Sequence, residues 1–255
     1  MARVTRGIGF GIDIGGSGIK GAPVDLGAGV FRAERLRIPT PSPSTPKAVA
    51  KVVGEIVASY GRGSGTRPIG VTFPAVIQHG VARTAANVDK SWVDTDVDAL
   101  MTAELGRAVH VINDADAAGL AEARFGAAKG VRGVVFLATL GTGIGSALIV
   151  DGQLVPNTEL GHLEIDGKDA ESKAADSART RDDLNWEQWA KRLQKYFTTI
   201  ENLFWPDLIV VGGGVSKKAA KFLSLLDLRA PIKPAGLLND GGIVGAAIAA
   251  AELGS

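Results

Sequence analysis

The sequence predicts an α/β protein with a central, largely buried sheet. Three observations predict it. Short apolar runs such as "PIGVTF", "AVHVIND" and "GVVFLATL" alternate with stretches whose apolar residues recur at helical spacing, and such alternation needs a sheet covered by helices. A strand running into a glycine-rich turn occurs twice, as "IDIGGSG" near residue 12 and "ATLGTGIG" near residue 138, so the chain reads as two halves of similar design. At 255 residues and 45% hydrophobic content the chain is long enough for a substantial core and is near the size at which cores divide.

Each element follows in order. "GIGFGIDI" reads as a strand opening into the first glycine turn, and "APVDLGAGVFRAERLRIP" returns as one or two short strands. "PTPSPSTP" is a stiff exposed connector, because its prolines cannot pair regularly. "KAVAKVVGEIVASY" carries Val49, Val52, Val53, Ile56 and Val57 on one helical face. A strand at "PIGVTF", a helix at "DVDALMTAELG", a strand at "AVHVIND" and a helix at "ADAAGLAEARFG" continue the alternation. "GVVFLATL" leads into the second turn, "GTGIGSALIVDGQL". Residues 166–183 are polar and without periodicity and read as a long loop. "WEQWAKRLQKYFTTIENLFW" is a long amphipathic helix, "PDLIVVGGGVSKKAAKFLSLL" is strand, glycine turn and helix, and "DGGIVGAAIAAAEL" is a closing helix. The halves are expected as residues 1–113 and 114–240, with the closing helix at about 241–253 packed back on the first.

Bulk composition excludes several classes. A formal charge of +1 gives no generic attraction to nucleic acid or to an anionic membrane, so neither is an expected partner. The absence of cysteine removes disulfides, thiolate catalysis and cysteine zinc sites, and fits a reducing compartment. The start of the chain lacks the apolar run of a signal peptide, and "IVGAAIAAAEL" is too short to span a bilayer, so a cytoplasmic location is expected.

Glycine turns present successive backbone N–H groups, which form anion-binding concavities. The first holds Gly15, Gly16 and Ser17 between Asp13 and Lys20: the lysine neutralises phosphate, and the carboxylate faces it through Mg²⁺. The bland alternative is an ordinary hairpin turn. Neither a nucleotide P-loop nor a dinucleotide fingerprint is present. Thr139, Gly141, Thr142 and Gly143 offer a second set of donors. Gly212, Gly213 and Gly214, followed by Ser216, Lys217 and Lys218, offer a third. "VINDADAAGL" puts Asn113 and Asp114 at a strand end. There Asp114 suits a base that takes a hydroxyl proton during phosphoryl transfer, and equally Asp114 or Asp116 suits a helix cap. Glu159 and His162, around a glycine, suit a polyhydroxylated ligand. The three histidines at 79, 110 and 162 are too scattered for zinc. Asn87 is a loop amide or a turn residue, and Trp92 is core or a ring against a sugar face.

Taken together, "DIGGSGIK", "IND", "LGTGIG", "TELGH" and "VVGGGVSKK", in that order and over nearly the whole chain, resemble the bacterial ROK family of sugar kinases. "TAANVDKSW" and "PNTELGHLEIDGKDAE" resemble its polyphosphate-using actinobacterial branch. The resemblance implies a two-lobed fold of the actin and hexokinase kind, a donor that is inorganic polyphosphate or ATP, and glucose, with mannose, as acceptor at its 6-hydroxyl. It implies Asp114 as general base and Asn87, Asn113, Glu159, His162 and Glu171 on the sugar. The first two turns then take phosphate, Gly212–Gly214 lie near the far end of the donor, and a homodimer is implied.

Many members carry a cysteine-rich zinc loop after the "GH" element. Here that region is "LEIDGKDAESKAADSART", so no structural zinc is expected, and packing, charge pairs or substrate must hold the loop. Long polyphosphate needs outlying cations, for which Lys217, Lys218, Lys221, Arg179 and Arg181 are candidates; the bland alternative is a solvated charged face. The competing readings are a non-enzymatic sugar sensor of the same fold and a kinase for another hexose, such as an N-acetylated one.

Overall fold

The computed structural model describes residues 7–85 and 88–253. The chain divides into two compact units: residues up to Ala121 together with those from Asp240 onward, and Glu122–Asn239. The division therefore falls after Asp114 rather than before it, and Asp114 belongs with the first unit.

In the first unit, β1 (Ile8–Ile14) folds back as an antiparallel hairpin on β2 (Ile19–Asp25), which also carries the short β3 (Val30–Phe31) and β4 (Leu36–Ile38). On its other side β1 pairs in parallel with β5 (Ile69–Phe73), and β5 with β8 (Val109–Asn113). Side chains alternate across a strand. Phe10, Ile12 and Ile14 thus share one face, and they join Val49, Val53 and Ile56 of α1 (Pro46–Ser59) and Val97 and Met101 of α2 (Val97–Leu105) in one core. Between β5 and α2 lies a small hairpin of β6 (Ile77–Gln78) and β7 (Val81–Ala82). α2 is bounded as its sequence dictates: Asp96 accepts the N–H of Ala99 at its start, and Gly106 adopts φ +59° at its end. α3 (Asp114–Phe125) follows β8 without an intervening loop.

The opposite face of the sheet meets the last helix of the chain, written α7 below (Gly241–Leu253). Gly11 and Gly70 permit the approach: a Cβ on either would fall on the backbone carbonyl of Ile243 or Ala246. α7 is apolar all round, and Ile243, Val244, Ala246 and Ala250 are completely buried.

The second unit is built on β9 (Val134–Leu140), antiparallel to β10 (Ile144–Val150), with β11 (Gln153–Val155) beyond it. β12 (Glu164–Ile165) and β13 (Lys168–Asp169) form a separate hairpin. α4 (Glu171–Ala174), α5 (Asp176–Arg181) and the long α6 (Trp186–Phe204) follow. β14 (Leu208–Gly212) then pairs in parallel with β9, and β15 (Ile232–Pro234) with β14. α6 starts at a full capping box, with Asn185 and Gln188 exchanging side-chain and backbone hydrogen bonds. Its buried stripe of Trp189, Leu193, Tyr196, Phe197 and Ile200 packs on Phe136, Ala138, Ile209 and Val211.

Two expectations need correction. Residues 166–183 are not a long loop. Asp166 and Gly167, at φ +54° and +69°, make the two-residue turn of β12–β13, and Ala170, Ala174, Ala175 and Ala178 are buried beneath the charges of α4 and α5. After the third glycine turn the chain is not α-helical either. Gly214–Lys221 is a 3₁₀ segment kinked at Lys218, and it leads to Phe222, which is buried against Trp186 and Trp189. Among the described residues no helix is long and apolar enough to cross a membrane.

Candidate active site

In the first unit the parallel strands β1, β5 and β8 end side by side, with Asp13 opposite Thr72 and Phe73 opposite Asn113. Both oxygens of the Asp13 carboxylate are engaged. The Thr72 hydroxyl donates to Oδ1 at 2.9 Å, and Lys20 Nζ lies 3.0 Å from Oδ2. Asp13 and Lys20 are cross-strand neighbours of the β1–β2 hairpin, so the glycine turn is a hairpin in form. Gly15 N–H donates to the Gly18 carbonyl at 3.2 Å. Thr40 donates to the Gly15 carbonyl at 2.5 Å and Arg37 to that of Ser17 at 2.7 Å, while Gly16 and Ser17 are exposed. Thr72, Thr40 and Arg37 are supports that sequence reading did not single out.

At the end of β8 Asn113 takes two first-turn donors, and Asp114 shares one of them. Buried Asn113 Oδ1 accepts the N–H groups of Ala115 and Asp116 at 2.8 and 3.1 Å, and its Nδ2 donates to the Ala75 carbonyl at 3.0 Å. Asp114 is the first residue of α3; its side chain is exposed, and Oδ1 shares the Ala115 N–H at 2.9 Å. Trp92 is core: it is fully buried, packs on Phe73, and donates through Nε1 to Ser44 O at 2.7 Å. Asn87 lies outside the described residues.

In the second unit the other two glycine turns lie together, because Thr139 at the end of β9 is the register partner of Gly212 at the end of β14. Gly213 has φ +80°, and a Cβ there would strike the backbone of Leu140, so only glycine fits. Ser216 Oγ donates to Gly213 O at 2.7 Å. The turn at Gly141, Thr142 and Gly143 is held from two sides. Glu171 accepts the Ile144 N–H at 2.7 Å. Ser177 donates its N–H to Gly141 O at 3.0 Å and its hydroxyl to Thr142 O at 2.6 Å. A Cβ on Gly143 would collide with the Glu171 carboxylate. Glu171 thus braces the second glycine turn, a support that sequence reading did not assign to it.

Glu159 precedes and His162 ends a short 3₁₀ turn, Leu160–His162. That turn is pinned by the Ser146 hydroxyl, which accepts the Leu160 N–H at 2.9 Å and donates to Thr158 O. His162 Nδ1 meets Asp169 Oδ2 at 2.7 Å. This bond raises the His162 pKa against the opposing effect of burial, and the charges of Glu171, Asp169 and Glu159 add to the rise. Burial pulls Asp169 upward, but its bonds from His162 and from the Ser172 N–H outweigh that and hold it below the usual range. Glu159 is exposed to solvent at the start of this turn. Desolvation raises its carboxyl, with His162 opposing and Glu171 reinforcing. With Nδ1 engaged, His162 presents Nε2 as its other donor.

Of the outlying cations, Arg179 is bound to Asp176 at 2.8 Å and stacks on Trp186, and Arg181 is bound to Asp182 at 2.8 Å. Lys221 lies over the Trp186 ring at 5.7 Å, while Lys217 and Lys218 are exposed. Arg181 and Arg192 together lower the Asp182 carboxyl to about 2. Among the described residues no group of three or more histidine, aspartate or glutamate side chains is placed to hold a metal ion.

These strand ends and turns belong to a known class. The ROK family model matches residues 9–176, and the chain belongs to the ROK family. It is 54% identical over 247 residues to a polyphosphate glucokinase of Mycobacterium tuberculosis, a span of 96% of this chain and 92% of that protein. The crystal structure of an inorganic polyphosphate/ATP-glucomannokinase from Arthrobacter sp. strain KM superposes with a TM-score of 0.92 at 60% identity, over 96% of this chain and 99% of the other. A ROK family glucokinase from Streptomyces griseus, in complex with glucose and AMPPNP, shares the fold with a TM-score of 0.81 at 23% identity, over 96% and 99%.

Proposed function

We propose that the protein transfers the terminal phosphoryl group of inorganic polyphosphate or ATP to the 6-hydroxyl of glucose, with mannose as a second acceptor. The observation that carries this reading is the 60% identity, over nearly the whole of both chains, to the Arthrobacter polyphosphate/ATP-glucomannokinase. The turns and strand ends described above support it chemically. A homodimer and a cytoplasmic setting belong to the same reading, supported by family membership and by a cysteine-free composition.

Asp114 is the general base. Its exposed carboxylate stands at the first position of α3, at the end of β8, where a hydroxyl proton can be taken. Asn113 has used both lone pairs of Oδ1 and one N–H within the protein, which leaves its second N–H for a sugar hydroxyl. Glu159 and His162 bind sugar hydroxyls as acceptor and donor, and Asn87 adds an amide. The turns at Gly15–Ser17, Thr139–Gly143 and Gly212–Gly214 supply backbone donors to the phosphates, with Lys20, Lys217 and Lys218 as nearby cations. Asp13 would hold Mg²⁺, since each of its carboxylate oxygens keeps acceptor capacity beyond its one contact with Thr72 or Lys20. When bound, it screens the charge of the transferring group.

The test is a set of initial rates of sugar 6-phosphate formation with Mg²⁺, crossing glucose and mannose with ATP and polyphosphate. Asp114→Asn should lower kcat by about 100-fold or more while sugar binding persists. Measurable sugar binding with no turnover for any pair would overturn the reading in favour of a sugar sensor.

A further inference from the structure

The second unit holds a cavity of about 380 Å³ between the β12–β13 hairpin, α4 and α6. Tyr196 is among its lining residues, and its charged lining is Lys168, Lys173, Lys191, Arg192, Lys195 and Asp166. Acidic partners account for only two of these cations. Lys195 is paired with Asp166, and Arg192 with Asp182 at 2.6 Å. Lys168, Lys173 and Lys191 have no ion-pair partner among the described residues. Lys191 and Lys195 stand four residues apart on α6, a spacing at which like charges repel. The buried Tyr196 hydroxyl also finds no hydrogen-bond partner among the described residues. A concave surface with several unneutralised cations is built for an anion of more than one charge.

We propose that this cavity binds a small polyanion carrying several linked phosphate groups, at a site separate from the glycine turns. The elements around it have two working faces. Adjacent residues of a strand point to opposite sides. On β13, Asp169 engages His162 while Lys168 lines the cavity. On α4, Glu171 braces the turn at Ile144 while Lys173 lines the cavity. An anion that gathers Lys168, Lys173 and Lys191 steadies the hairpin and helix that hold His162 and the second glycine turn. The cavity thus fits the task of a ligand-dependent clamp on a segment with no cysteine for a metal.

Backbone amide spectra of ¹⁵N-labelled protein, titrated with sodium tripolyphosphate and separately with orthophosphate, test this by location. Saturable shifts are expected at residues 165–174 and 191–196. Tripolyphosphate should bind at least about tenfold more tightly than orthophosphate. The Lys173→Gln/Lys191→Gln double variant should weaken that response by about tenfold and leave shifts at residues 141–143 and 212–214 as they were. Lys168→Glu/Lys191→Glu, at exposed positions, should abolish it. Shifts confined to the glycine turns, an unchanged dissociation constant in the variants, or equal affinity for the two anions would each overturn the proposal. Because the readout is binding at named amides, failure here leaves the phosphotransfer reading standing, and loss of turnover would not remove this site.

Discussion

Glu171 accepts the backbone N–H of Ile144 at 2.7 Å and so fastens the first residue of α4 to the end of the second glycine turn. A charged acceptor on a backbone donor is worth about 1.5–3 kcal/mol. Glu171→Ala should therefore lower kcat/KM by roughly 10- to 100-fold, with a higher KM for the phosphoryl donor. Glu171→Gln keeps a carbonyl acceptor and should recover much of the loss. Equal defects in both variants, or a defect in sugar KM alone, would show that the brace is not what Glu171 contributes.

The pair of His162 and Asp169 has a defined pH window. His162 is raised, so its contribution is complete below the ordinary histidine pKa and fades as pH rises through the raised one. Asp169 is lowered, so its share is present above the ordinary carboxylate range and fades as pH falls through the depressed value. An NMR titration should place the His162 imidazole above about 6.5, and Asp169→Asn should bring it down. A value that does not move in the variant would rule out Asp169 as the cause.

Gly11 and Gly16 should respond unequally to the same substitution. A Cβ on Gly11 would land on the Ile243 carbonyl, whereas nothing lies within 4 Å of one on Gly16. Gly11→Ala should cost about 2–3 kcal/mol or prevent α7 from docking, as overpacking does. Gly16→Ala should be close to neutral in urea unfolding. Similar midpoints for the two would contradict the close approach of α7.

Glu122 is buried and accepts three backbone N–H groups, from Ala127 at 2.6 Å, Gly236 at 3.0 Å and Leu237 at 2.8 Å. Glu122→Ala strands all three donors and should lose about 3 kcal/mol or more, while Glu122→Gln should lose less. Thermal unfolding of both variants checks the order; an Ala variant as stable as wild type would mean that water replaces the carboxylate.

What the sequence disclosed depended on how far each signal reaches. β1, β5, β8, β9 and β14 are readable because each is a short apolar run that a glycine, a proline or a polar residue ends or follows, and α1 and α6 because their buried residues recur at helical spacing. The segment from Asp166 to Asp183 reads as a loop because its buried alanines are small and leave no apolar stripe. Yet Asp166-Gly167 was a usable hairpin signal, and it leads directly to Asp169, the partner of His162. The pairs Asp13–Lys20 and Gly212–Thr139 depend on register, and Glu171–Ile144 on how α4 packs. Spacing along the chain encodes neither.

The docking of α7 has a consequence for the order in which the molecule is made. The sheet it covers is complete in sequence once β8 has been synthesised, at Asn113, yet its cover begins only at Gly241. A growing chain must therefore hold the Gly11 and Gly70 face of that sheet uncovered while all of Glu122–Asn239 is added. During translation the second unit, whose elements are contiguous, can close on itself before the first unit is finished. A ribosome stalled just short of Gly241 would then carry one completed body and one exposing apolar strand surface, the species that chaperones bind.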